Sequence, residues 1–187
     1  MLGVTAYQIA EAARVATSAA IRGKRITKKL ARSLERRLSR FWKSRKVIDE
    51  SAVEITKEVA RGAMHVVDEQ PVEVDDLVES VTTGVIEASS KAGVNPMNGI
   101  LGVSQGVIQG AAEAGIELNE VTIEILQAAR KIAEETGISE EEAIVQAARG
   151  ILAAAEQIGP EAAAEVVDVL PETVFSEHDN KPDRQEN

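Results

Sequence analysis

The chain has 187 residues, 21 basic against 31 acidic for a net charge of −10, no cysteine, two histidines and four aromatics. That length can bury a core in one domain or in a domain with an appendage, and the lack of cysteine removes disulfide frameworks and thiolate zinc sites. The acidic balance argues against a protein that coats nucleic acid with its whole surface.

No stretch reaches the roughly 18 consecutive apolar residues of a spanning helix. Met1-Leu2-Gly3-Val4 carries no basic n-region and is followed by no signal-peptide core. A cytoplasmic location, with peripheral attachment to a membrane, is the expectation. Charge is divided along the chain. Residues 1–50 hold 13 bases and 4 acids, a net of +9, while residues 51–187 carry −19. Such asymmetry marks pieces with different tasks. It predicts N-terminal helices over 1–50, an acidic helical-repeat domain over 51–171 and a tail over 172–187.

Residues 5–22 read as a first helix, with Thr5 and Gln8 as a capping box and Gly23 as the stop. Its face of Ile9, Ala12, Ala13, Val15, Ala16, Ala19 and Ala20 is small and apolar, though its spacing is out of phase with the repeats below. It is expected to dock on them.

Residues 24–46 read as a second helix of another kind. Ile26, Leu30, Leu34, Leu38 and Phe41 form one apolar stripe, with Trp42 beside its end. Lys28, Lys29, Arg32, Arg36, Arg37, Arg40, Lys43, Arg45 and Lys46 cover the remainder. A basic amphipathic helix with a terminal aromatic pair suits an anionic membrane or granule surface, Phe41 and Trp42 serving as interfacial anchors. Three other readings compete. The helix could fill an acidic partner's groove, touch nucleic-acid phosphates, or pack its stripe on the repeats while its bases offset the acidic body.

From Ser51 onward the sequence aligns in lines of 22 without gaps. One column reads Pro71, Gly93, Gly115, Gly137, Gly159; another reads Gly62, Gly84, Gly106, Ala128, Gly150; a third reads Val59, Val81, Val103, Ile125, Ala147. Each line predicts one helix and one tight turn. Glycine at C′ stops the helix, and Ser51 with Glu54, Ser139 with Glu142, and Asn95-Pro96 are expected starts. Short turns force antiparallel neighbours. The fold class is therefore all-α, an antiparallel array of single-helix 22-residue repeats, closed as a bundle or open as a short α-solenoid. A shorter helix from Pro160 to Leu170 caps it. Pro171 to Asn187 is polar and expected to be disordered.

No aromatic residue falls within the repeats, so Ala, Val, Ile and Gly must fill the interior. Mid-helix glycine costs about 1 kcal/mol relative to alanine. Its recurrence at Gly62, Gly84, Gly102, Gly106, Gly110 and Gly150 predicts close backbone approach between helices. The third line, uncharged between Lys91 and Glu113, is expected to be the central helix, with Gly106 more crowded than Gly150.

Catalytic chemistry is not visible. His65 and His178 are far apart in sequence, no phosphate-cradling glycine motif is present, and Asp75-Asp76 and Glu140-Glu141-Glu142 fall at helix starts, where the helix dipole explains them. The sequence thus predicts a non-catalytic scaffold, without cofactor or metal, attached to an anionic membrane or another polyanionic surface. Nucleic acid is the alternative partner, and a protein partner or a second copy of the chain is compatible with the pattern.

Overall fold

The structure is a computed structural model and describes residues 49–65, 73–91 and 93–176. The expected helices at 5–22 and 24–46 and the segment beyond Ser176 lie outside the described residues. So do Val66 to Val72, which include the expected stop at Pro71.

Among the described residues seven helices follow in order: α1 (Asp49–Met64), α2 (Val74–Lys91), α3 (Pro96–Glu113), α4 (Leu118–Thr136), α5 (Glu140–Ile158), α6 (Pro160–Val167) and the single turn α7 (Thr173–Ser176). The last falls inside the segment expected to be a tail.

Their ends follow from local chemistry. The Asn95 side chain accepts a hydrogen bond from the Met97 amide at 3.0 Å, and Pro96 opens α3 where no intrahelical donor is needed. Ser139 caps α5 by accepting from the Glu142 amide. Gly93, Gly115 and Gly137 take φ of 82°, 70° and 73°, the left-handed stop. At the end of α3, Ile116 donates to Ala111 at 2.9 Å and Gly115 to Ala112 at 3.2 Å, so two terminal carbonyls are satisfied. One start differs from expectation. Helix α1 begins at Asp49, so Ser51 already stands inside its first turn and is not a cap.

The valine column is the core. Val59, Val81, Val103, Ile125 and Ala147 all have zero exposure. Around them Met64, Leu77, Ile86, Ile100, Ile108 and Ile151 fill the space between two layers. One layer holds α1, α3 and α5; the other holds α2, α4 and α6. Each helix packs on its neighbour in sequence and on the helix two places along. α1 at one end packs on α2 and α3, while α5 at the other packs on α3, α4, α6 and α7. This is an open two-layer array, a short α-solenoid. α3 touches α1, α2, α4 and α5 and is the central helix.

The sequence repeats every 22 residues, but the geometry repeats every 44. A helix needs one partner in its own layer and another across the core, so the stacking unit is a pair of helices.

Candidate interaction surface

The first layer is zipped by glycine. A methyl group built on Gly102 would stand 2.5 Å from the Val53 carbonyl oxygen and 2.9 Å from Thr56 Cβ. One on Gly106 would overlap the Lys57 carbonyl and meet Ala60 Cβ at 2.8 Å. One on Gly110 would meet Met64 Cβ at 2.7 Å. These three glycines at steps of four form the α3 ridge that lies on α1. Gly150 does the same one helix further along this layer, with the Leu101 carbonyl at 2.6 Å and Ser104 Cβ at 2.8 Å. Gly106 is the more crowded of the two, as expected, but Gly150 is also close-packed, because α5 repeats on α3 the close approach that α3 makes on α1. Gly62 and Gly84 are buried.

A polar ladder runs along this layer. Nε2 of His65 lies 2.7 Å from Glu113 Oε2, and the Gln109 amide donates to Gln157 Oε1 at 3.0 Å. Both pairs join α1 to α3 or α3 to α5 at the same height. Arg61 bonds the other Glu113 oxygen at 2.7 Å and approaches Glu58 at 3.6 Å. The hydrogen bond to Glu113 raises the Arg61 pKa against the opposing effect of burial. His65 thus belongs to a structural contact between helices.

The second layer presents carboxylates. Asp75 and Glu79 of α2 stand beside Glu120 and Glu124 of α4. Burial pushes the Glu124 carboxyl up, and Asp75, Glu120 and Glu79 add to the shift by repulsion. Lys131 answers part of that charge through its ion pair with Glu79, and its pKa is raised chiefly by that hydrogen bond. Among the described residues, no group of three or more His, Cys, Asp or Glu is arranged to hold a metal.

One contact had no signal in the sequence. Helix α4 begins after Glu117, which makes no side-chain cap bond. Instead Glu165 of α6 accepts from the amides of Leu118 at 2.6 Å and Asn119 at 3.2 Å. A carboxylate from 47 residues away does the work of a local cap. Near α5, Met97, Ser139, Glu141, Glu142, Val145 and Arg149 line an open groove.

The eleven residues expected to bind an anionic surface, from Lys28 to Lys46, lie outside the described residues. Within them, no helix is long and apolar enough to cross a membrane.

No protein-family model and no curated protein matches the chain. The fold does match a solved structure, the crystal structure of a de novo designed helical repeat protein, DHR7. The TM-score is 0.56 at 16% identity, over 92% of this chain and 94% of that one. The fold is a helical-repeat fold. At that identity the likeness is one of architecture alone.

Proposed function

We propose that the chain is a non-catalytic helical-repeat scaffold held on an anionic surface, a membrane in the first place, by its basic segment at residues 24–46. The division of charge carries this reading. Asp75, Glu79, Glu120 and Glu124 crowd one face of the repeats, and residues 51–187 carry −19, so phosphate would be repelled there. Attraction must come from the +9 of residues 1–50, where each base near an anionic membrane contributes about 1 kcal/mol. Trp42 and Phe41, at the end of the apolar stripe, are side chains that favour the lipid interface. The helical-repeat architecture supports the scaffold half of the reading, since such arrays offer extended surfaces to partners.

Co-sedimentation of the full chain with phosphatidylserine-containing vesicles, at low and high salt, tests it. Changing Arg32, Arg36 and Arg40 to Glu should weaken binding at least about tenfold, in keeping with several kcal/mol of lost attraction. Undiminished binding overturns the reading. Changing Phe41 and Trp42 to Ala should weaken vesicle binding and leave duplex-DNA binding nearly intact. The opposite pattern selects nucleic acid as the partner.

A further inference from the structure

The array has a face on α1 that none of the described helices covers. Helix α1 meets α3 through Val53, Thr56, Lys57, Ala60, Arg61 and Met64. Gly62 is two residues from Ala60, about 200° round the helix, and Glu58 is the same number of residues the other way. Both therefore point away from α3. Both are nevertheless buried, Glu58 to 8% exposure. The described elements that pack on α1 are α2 and α3.

The register says what fits there. Contacts along the first layer repeat at 44 residues: Gly106 meets Lys57, Ala60 and Arg61, and Gly150 meets Leu101, Ser104 and Gln105. One step back, the register would set Ala13, Ala16 and Thr17 opposite Gly62. The same step carries Gly102 and its partners Val53 and Thr56 onto Glu58, Ile9 and Ala12. The ridge positions that face a glycine, held by Thr56, Ala60 and Met64 on α1, become Ala12, Ala16 and Ala20. Glu58 stands in the register place of Gly102, so the close approach is centred on Gly62. Two lines of 22 separate this segment from α1: its stop at Gly23 falls four residues short of the column of Pro71, but Ile9, Val15, Ala16, Ala19 and Ala20 fall in the columns of Val53, Val59, Ala60, Ala63 and Met64.

We propose that residues 5–22 of the same chain occupy the Gly62–Glu58 face of α1 as the terminal unit of the first layer. The outer ridge of that unit, in the columns of Glu58, Gly62 and Val66, holds Arg14, Ser18 and Arg22. The basic segment that follows Gly23 is thereby seated at the same end of the array.

The chain has no cysteine, which allows a direct test by paired substitutions in the full-length protein. Ala12→Cys with Glu58→Cys should form an intramolecular disulfide at least tenfold faster than Ala10→Cys with Glu58→Cys, since Ala10 falls on the outer ridge. Equal rates for the two pairs overturn the proposal. Disulfide-linked dimers from the first pair also overturn it, because a second copy would then hold the face. In the cysteine-free background, Gly62→Leu should speed tryptic cleavage at Arg14 and Arg22 severalfold while α3 to α5 stay protected; an unchanged rate again overturns it.

Discussion

The Gln109 side chain donates to Gln157 at 3.0 Å, and 44 residues earlier His65 and Glu113 stand 2.7 Å apart in the same relation. An amide pair and an imidazole–carboxylate pair thus occupy equivalent rungs. Geometry, rather than charge, sets the rung, because the rigid glycine seam fixes the distance between helices before the side chains meet.

It follows that the ionic rung can be exchanged for the neutral one. His65→Gln combined with Glu113→Gln should change unfolding free energy by less than about 1 kcal/mol, as expected for half-exposed pairs. Arg61 loses charge assistance but keeps an acceptor in the new amide and its approach to Glu58. Urea titration followed by circular dichroism would measure it, and a loss of several kcal/mol would mean that the rung holds α1 to α3.

The seam itself should be far less forgiving. Gly106→Leu would drive a side chain into the Lys57 carbonyl and Ala60, and Gly150→Leu into the Leu101 carbonyl and Ser104. Backbone cannot step aside as a side-chain tip can, so each substitution should cost about 3 kcal/mol or more. Gly106, in the central helix, should be the worse of the two. Gly115→Ala makes a useful contrast. Nothing lies within 4 Å of its added methyl, and the penalty of about 1 kcal/mol or slightly more comes from its φ of 70° alone. Thermal unfolding of the three variants orders these costs.

Glu165 should behave as a cap although it lies on another helix. Its Oε1 receives two amides at the start of α4, where the helix dipole favours negative charge. Glu165→Ala should cost about 1–2 kcal/mol. The effect should be local in hydrogen exchange, with faster exchange at Leu118 and Asn119 and little change in α3. Glu165→Gln retains an acceptor and should recover part of the loss.

The fold was legible because its signals were local. A glycine at C′, a proline at N1 and a valine every 22 residues each act within one helix, and each is found at Gly115, Pro96 and Val103. What pairs with what was not legible. Nothing in a single line of the repeat says whether Gly106 meets the preceding helix or the one before that, and only the two-layer packing selects Lys57 and Ala60. The cap from Glu165 and the crowding of Asp75 with Glu124 are long-range for the same reason. The basic residues from Lys28 to Lys46 are legible as a charge run on an apolar periodicity, and they lie outside the described residues.

The acidic face should make the protein more stable on mild acidification. Glu124 has its carboxyl pKa raised, first by burial and then by Asp75, Glu120 and Glu79. A raised carboxyl pKa means that the folded state holds the proton more tightly than the unfolded chain. The ionised group therefore weakens the fold at pH above its folded pKa, and the penalty fades as pH falls through that value toward the ordinary 4.5 of the unfolded chain. Glu124→Gln, which removes the charge and keeps the shape, should raise Tm at pH 7. The gain should be about one or two degrees, since the group is only partly buried and water screens much of the repulsion. Below pH 4 the two proteins should melt together. Glu79→Gln supplies the opposing case: it relieves the same repulsion but breaks the ion pair with Lys131, so its gain at pH 7 should be smaller or reversed. A Glu124→Gln variant that melts lower than the parent at pH 7 would show that the carboxylate is held by a favourable partner, and that crowding on this face does not cost the fold.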